Sequence, residues 1–244
     1  MIDYDREATH YDASRGGEPR AAAAAAAVER LLPEGVRTVV DVACGTGIVT
    51  WRLHRPGRTV LGVDRSQGMT AVAASRLPRG VVSGDATCLP VGSVKADAVV
   101  LIWLLHLLTD VAPVLAEAAR VLSPAGTLVT TVDKEEAAFT TDSDIAHVTA
   151  PLRRQYARRA PDQLDVVVQL AAGHGLRPVG ETRFAGTGQG QSPRRWREQI
   201  SRGRVPWAGA ADPEQVEGVC RELAALPDQD IDRPDPVYRL ISLS

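Results

Sequence analysis

Thr38-Val39-Val40-Asp41-Val42-Ala43-Cys44-Gly45-Thr46-Gly47 is an apolar, β-branched run that ends in a glycine turn, and a helical pattern follows it from Ile48 to His54. Glycines at 45 and 47 let the backbone turn tightly and let a ligand approach where any Cβ would collide. Asp64 closes the next apolar run about twenty residues later, where a carboxylate can accept hydrogen bonds from both hydroxyls of an adenosine ribose. The two features together indicate a nucleoside cofactor and make an enzyme the leading expectation. They do not choose the cofactor, because a nicotinamide dehydrogenase uses the same strand, turn and carboxylate.

Outward from this stretch, strands and helices alternate. Strands are expected at Val36–Val42, Thr59–Val63, Val81–Val82, Ala96–Ile102 and Thr127–Val132, and helices at Pro19–Leu32, Ile48–His54, Gln67–Arg76 and Val111–Leu122. That order implies an α/β fold, a parallel sheet covered by helices on both faces, with a ligand crevice at the carboxyl ends of the strands. Past Asp133 helices are expected at Ile145–Ala160, Asp162–His174, Ser192–Arg202 and Asp212–Leu226, strands at Leu176–Phe184 and Pro236–Leu243, and a hinge at Gly186–Gly190. A final strand pair interrupted in this way suggests a helical cap inserted over the active face. The expected layout is one domain over residues 1–244: a lid over 1–20, a cofactor-binding core over 21–135, a variable cap region over 136–235 that includes strand 176–185, and a last strand over 236–244.

Composition narrows the partners. With 244 residues and 44% hydrophobic content the chain can bury a sizeable core. A net charge of -2 provides no global attraction to nucleic acid or anionic membrane. The three cysteines, Cys44, Cys88 and Cys220, lie far apart without metal-ligand spacing, so free thiols, no bound metal and a reduced, cytoplasmic setting are expected. No segment approaches the roughly 18 apolar residues of a membrane span, and Met1 to Glu7 lacks the apolar core of a signal peptide.

Three further features separate the cofactor readings. Asp41 sits inside the strand end, where its charge could meet an ammonium group and would poorly suit a pyrophosphate. Gly45-Thr46-Gly47-Ile48-Val49-Thr50 lacks the third small residue of a dinucleotide fingerprint. Gly84-Asp85-Ala86, followed by Leu89-Pro90, puts another carboxylate beyond the third strand, able to accept from an adenine amine. These point to S-adenosylmethionine.

From about Tyr4 to Val132 the chain resembles the class I S-adenosylmethionine-dependent methyltransferases, in their type 11 small-molecule branch. Val40 to Gly47 looks like the first motif of that family, Gly62-Val63-Asp64-Arg65-Ser66-Gln67-Gly68-Met69 like its second, and Gly84-Asp85-Ala86 with Leu89-Pro90 like its third. Ala96 to Val100 through Leu105-His106, and Arg120 to Val129, are similar to its fourth and fifth segments. The resemblance implies a Rossmann-like seven-stranded, mostly parallel sheet with an antiparallel last strand. It also implies that Asp41, Ala43 and Gly45, with Gly47, hold the methionine moiety, Asp64 the ribose with Arg65 beside it, Met69 and Ala86 the adenine faces, and Asp85 the adenine amine, with Leu101 completing the set. Tyr4-Asp5 and Tyr11-Asp12 with Arg15 look like the tyrosine-bearing lid of the family; Tyr11 would pack near the sulfonium, and Arg15 would pair with the cofactor carboxylate.

Methyl transfer from a sulfonium is an in-line displacement, so alignment and exclusion of water come first and a base is optional. Where the acceptor must lose a proton, a histidine suits the task, and His10 and His106 are the candidates. Many relatives carry two adjacent histidines where this chain has His106-Leu107. Trp103 could form a wall for a flat acceptor, and Tyr4, His147 and Trp196 are further candidate substrate contacts. Arg153-Arg154, Arg158-Arg159, and Arg194-Arg195-Trp196-Arg197 with Arg202 and Arg204 are the basic concentrations, and they suit an anionic acceptor. The leading expectation is O- or N-methylation of a small molecule in a bacterial specialised-metabolite pathway by a monomer or homodimer. RNA methylation through the Arg194–Arg204 patch and a non-catalytic cofactor-binding partner protein are the alternatives.

Overall fold

The computed structural model describes residues 3–244. They form two compact units: the chain up to Lys134 with Pro161–Phe184 and Tyr238–Ser244, and Glu135–Ala160 with Ala185–Val237. The strands are β1 (Thr38–Val42), β2 (Thr59–Asp64), β3 (Val81–Ser83), β4 (Ala96–Leu101), β5 (Leu122–Val132), β6 (Pro178–Ala185) and β7 (Val237–Leu243). The helices are α1 (Tyr4–Glu7), α2 (Tyr11–Ser14), α3 (Gly17–Leu31), α4 (Gln67–Arg76), α5 (Ala112–Val121), α6 (Asp144–Gln155), α7 (Leu164–Ala172), α8 (Pro193–Ser201), α9 (Pro206–Ala210) and α10 (Pro213–Ala225).

The seven strands form one sheet in the order β3-β2-β1-β4-β5-β7-β6. From β3 to β5 every pairing is parallel, while β7 runs antiparallel to β5, as the resemblance implies. Strand residues alternate between faces. Val40 and Val42 of β1, with Val99 and Leu101 of β4, pack into a core closed by Leu115 and Ala118 of α5 and Val167 and Ala171 of α7. Val39, Asp41 and Ala98 therefore point to the other face, and all three are buried. The alanine run gives α3 a smooth buried stripe of Ala21, Ala24, Ala25, Ala27 and Val28. The second unit has its own core, in which Ile145 and Leu152 of α6 meet Ile200 of α8, Trp207 of α9 and Leu223 of α10.

Several elements differ from their expected extent. The helix expected over Ile48–His54 is a single 3-10 turn, Thr50–Leu53. Its β-branched start Ile48-Val49-Thr50 disfavours a helix, the Thr50 hydroxyl is engaged by Asp41, and Pro56 ends the segment. The helix expected to reach Ala160 stops at Gln155, ahead of Arg158-Arg159 and of Pro161, which disfavours helix in the residue before it. β5 begins at Leu122, five residues before the expected Thr127, with an irregularity opposite Ala96 and Ala98. Pro206 opens the unexpected α9 as a first-turn proline. α7 and β6, expected within the variable region, belong to the unit that holds the sheet.

Two aspartates dock the amino-terminal helices on the strand ends. Asp5 Oδ1 accepts from Ser66 Oγ at 2.6 Å and from Gly68 N at 2.8 Å, at the turn that leads from β2 into α4. A Cβ on Gly68 would lie 2.6 Å from the Asp5 carbonyl oxygen, so the close approach requires glycine there. Asp12 accepts from Thr46 Oγ1 at 2.5 Å within the glycine turn and from Arg76 at 2.7 Å. Replacing Asp12 with Ala removes both bonds of a partly exposed anchor, at a cost of about 1 kcal/mol concentrated in α1 and α2. Limited trypsin digestion checks this: cleavage at Arg6 or Arg15 accelerates several-fold in the variant, and an unchanged rate would contradict the anchoring. Leu115 is fully buried, and Leu115→Ala is expected to lower unfolding stability by about 2–5 kcal/mol in urea titration.

Candidate active site

β1 delivers Asp41 to the edge of the sheet. Its side chain is 3% exposed and accepts a 2.6 Å hydrogen bond from the Thr50 hydroxyl. Burial, with the nearby Asp64 carboxylate adding to it and Thr50 opposing it, pushes its pKa up to about 7. The chain then turns through Ala43, Gly45 and Gly47, with φ of 58°, 56° and 72°. Ala43 holds the left-handed conformation despite its Cβ, at a cost of roughly 1–2 kcal/mol. A Cβ on Gly45 would meet nothing within 4 Å, so the backbone there faces open space, while one on Gly47 would press on Leu77 and Ala73 of the neighbouring helix end.

Asp64 at the end of β2 is tied to that turn. Its Oδ2 accepts from Gly45 N at 2.8 Å and its Oδ1 from Ser66 N at 2.9 Å, which fixes the carboxylate and leaves further lone pairs on both oxygens. Met69 follows in the first turn of α4 and is 2% exposed, and Leu101 at the end of β4 is fully buried. Ala86 is half-buried against the main core. Asp85 is exposed, and bonds from the Thr87 hydroxyl at 2.6 Å and amide at 2.7 Å hold its carboxyl below the usual range. Arg65 is exposed beside Asp64. The residues singled out in the first three motifs thus lie along consecutive strand ends.

Over the other side of this edge lies an aromatic group that the sequence showed only in part. Trp103, just past β4, adopts φ of 56° and donates its amide to Thr131 Oγ1 at 2.8 Å. Its ring meets Tyr238 of β7 at 5.4 Å and Phe184 of β6 at 5.9 Å, both edge-on. The Arg20 guanidinium lies on the Trp103 ring, 3.4 Å from its centroid. Tyr11 and Tyr4 meet edge-on at 6.1 Å, and Arg15 sits 5.5 Å over the Tyr11 ring. Tyr11, Arg15, Arg20 and Trp103 help to line a cavity of about 30 Å³.

The two histidine candidates have different settings. His106 is half-buried, its Nδ1 has no hydrogen-bond partner, and burial together with Lys134, Arg20 and Arg15 drives its pKa down to about 3. A ring held neutral so strongly is a weak proton acceptor. His10 is an exposed residue at the start of α2 and its side chain does not cap the helix. The sequence reading assigns no individual role to Asp5, Asp12, Thr50 or Arg20. The first two stand beside Tyr4 and Tyr11, and Arg20 stands at the head of an alanine helix.

His147 and Trp196 belong to the second unit. His147 is exposed and paired with Asp142 at 2.8 Å. Trp196 packs on Phe139 at 5.2 Å between ring centroids and against that unit's core. Three arginines of the basic runs are paired: Arg153 lies over the Phe139 ring and pairs with Glu136, Arg194 pairs with Asp230 at 2.7 Å, and Arg195 with Asp232 at 3.6 Å. Among the described residues no helix is long and apolar enough to cross a membrane.

Comparison with known proteins places this geometry. Residues 40–130 match a family described as a methyltransferase domain, type 11. A demethylmenaquinone methyltransferase from Mycolicibacterium paratuberculosis is 41% identical over 92 residues, 37% of this chain and 39% of that protein. The chain therefore spans about two fifths of that relative's length. A solved S-adenosylmethionine-dependent methyltransferase from Thermotoga maritima superposes with a TM-score of 0.57 at 18% identity, covering 99% of this chain and 97% of that one. The cyclase SpnF has a TM-score of 0.54 at 19% identity, covering 93% and 79%. Likeness at that level shows the fold, and a cyclase in the set illustrates that the fold alone does not name a reaction. Motif order, the parallel sheet with its antiparallel β7 and the match over the glycine turn agree: residues 40–130 of this chain are similar to the type 11 methyltransferase domain, and the sheet has the fold of the solved methyltransferases.

Proposed function

We propose that the chain transfers a methyl group from S-adenosylmethionine to a small-molecule acceptor. The observation that carries this reading is Asp41, a buried carboxylate at the glycine turn whose raised pKa marks a negative charge in need of a cation. The donor set suits the cofactor: Asp41 would take the ammonium, the open backbone at Gly45 the methionine stem, Asp64 the two ribose hydroxyls, and Asp85 the adenine amine between Met69, Ala86 and Leu101. A dinucleotide pyrophosphate at the same turn would meet Asp41 with like charge. When bound, S-adenosylmethionine supplies an electrophilic methyl group on a sulfonium.

The chain's own part is to bind, orient and keep out water. Tyr4 and Tyr11 on the docked amino-terminal helices would close over the sulfonium side, held by Asp5 and Asp12. Trp103 would wall the acceptor side. His106, neutral at physiological pH, would serve as a hydrogen-bonding group, so an acceptor that ionises by itself or loses its proton to water fits better than one needing a strong base. O- or N-methylation of such an acceptor in specialised metabolism is the reading we favour; the demethylmenaquinone methyltransferase among the relatives supports a small-molecule acceptor. Carboxylate pairing of Arg194 and Arg195 leaves less of the charge that RNA binding would need.

The pH dependence of cofactor binding tests the role of Asp41. The folded pKa lies above the ordinary 3.8, so ionising Asp41 costs stability as pH rises toward about 7, and the cofactor's ammonium offsets that cost. Isothermal titration with S-adenosylhomocysteine from about pH 5.5 to about pH 8 should show affinity falling roughly tenfold per unit below about 7 and level above it. Asp41→Asn should bind roughly ten- to hundredfold more weakly at pH 8 and lose the slope. Wild-type affinity independent of pH, or an unchanged Asp41→Asn, would contradict the assignment.

A further inference from the structure

Between β3 and β4 the chain runs through residues 84–95 without a helix or a ladder strand, and Asp85 stands near the start of this link. Irregular links are usually the more mobile parts of a fold. This one is held on both sides of a single peptide: Leu89 N donates to Glu117 Oε2 at 2.8 Å, and the Leu89 carbonyl accepts from Arg120 Nη2 at 3.3 Å. Arg120 Nη1 also donates to the Val91 carbonyl at 3.0 Å and to Ser93 Oγ at 3.2 Å. The Arg120 and Val121 carbonyls accept from Val94 N at 3.0 Å and Lys95 N at 2.8 Å. All of these partners lie in the second half of α5.

Glu117 and Arg120 stand one helical turn apart and are joined by two parallel hydrogen bonds of 2.7 Å, a bidentate pairing that fixes both side chains. Arg120, with the Leu89 amide adding to it, holds the Glu117 carboxyl below the usual range. The Leu89 side chain is 5% exposed in the main core, so its peptide cannot shift without uncovering it. Pro90 follows and lies against Gly84: a Cβ there would stand 2.7 Å from Pro90 Cδ and 2.9 Å from a Val63 methyl carbon, so the approach requires glycine. Gly84 N donates to the Asp64 carbonyl, and Cys88 N to the Asp85 carbonyl, both at 3.0 Å. The turn carrying Asp85 is thus set between β2 on one side and the seat of Leu89-Pro90 on the other. Thr87 supplies the hydrogen bonds to the Asp85 carboxylate, so Glu117 acts on that carboxylate through the backbone.

We infer that Glu117, locked by Arg120, is a positioning residue for purine selectivity: it seats Leu89-Pro90 and so sets where the Asp85 carboxylate stands to read the base. The inference rests on the donor-site reading above and deepens it, by making the choice of base depend on α5. Adenine presents an amine at its 6-position, where hypoxanthine presents a carbonyl oxygen. A carboxylate held in place accepts from the first and repels the second, whereas a displaced one separates them poorly.

The experiment measures binding of S-adenosylhomocysteine and of its deaminated analogue, S-inosylhomocysteine, to the full chain by isothermal titration. Wild type should prefer the adenosyl ligand at least about tenfold, and Asp85→Ala should cut that preference to about twofold or less. Glu117→Leu should cut it to the same level without lowering affinity for the inosyl ligand by more than about twofold, and the double variant should lose no more than either single one. Arg120→Met, which frees the Leu89 carbonyl and unlocks Glu117, replaces Glu117→Leu if the latter does not fold. A preference that survives in the variant, or an equal loss of affinity for both ligands, would overturn the inference, because Glu117 would then support the pocket as a whole. So would a wild type that binds both ligands alike. If wild type binds neither ligand, the donor-site reading itself fails and the inference falls with it.

Discussion

A carboxylate buried at the end of a parallel strand is the constraint around which this site is arranged. Asp41 lies in β1, the strand flanked by β2 and β4 in the sheet order, so it cannot turn toward water without leaving the ladder. It keeps the Thr50 hydroxyl as a donor, and Asp64 close by raises its proton affinity further. The glycine turn must then leave the strand without covering it, which explains a left-handed run that includes Ala43 at some cost in strain. Asp64 stabilises that turn by accepting from Gly45 N, so the two carboxylates are linked through the loop between them.

The same edge is built in two electrostatic halves. On the β1 and β2 side the buried charges are negative, Asp41 and Asp64, and they suit the ammonium and hydroxyls of a nucleoside amino acid. On the β4 side they are positive or neutral donors, Arg20, Arg15 and Trp103, and burial, with Lys134, Arg20 and Arg15 adding to it, keeps His106 neutral. The amino-terminal helices span both halves, since Asp5 docks beside Asp64 and Asp12 at the glycine turn, while Arg15 and Arg20 follow on the other side.

Much of the sheet was legible because its strands are β-branched, evenly spaced and bounded by glycine or aspartate, so β1, β2, β4 and the Gln67–Arg76 helix fall where the pattern put them. Thr50 was harder to read, since its hydroxyl is engaged by a residue nine positions back and the helix it should have joined shrinks to one turn. Arg20 was not legible at all: its burial comes from Trp103 and Tyr238, far along the chain, and local pattern carries no signal of such a contact. Arg194 and Arg195 show the reverse case, a conspicuous basic pair of residues whose partners, Asp230 and Asp232, lie more than thirty positions away. Periodicity reports which face is buried, and long-range charge pairing decides what a charged side chain is for.

The central claim is that the turn from Asp41 to Gly47 and the carboxylate of Asp64 form one methyl-donor site. A crystal structure of the chain with S-adenosylhomocysteine bound tests it most directly. The account predicts the ammonium on Asp41, both ribose hydroxyls on Asp64 and the adenine between Met69 and Ala86. Electron density for the ligand elsewhere, or with its ribose away from Asp64, would contradict it.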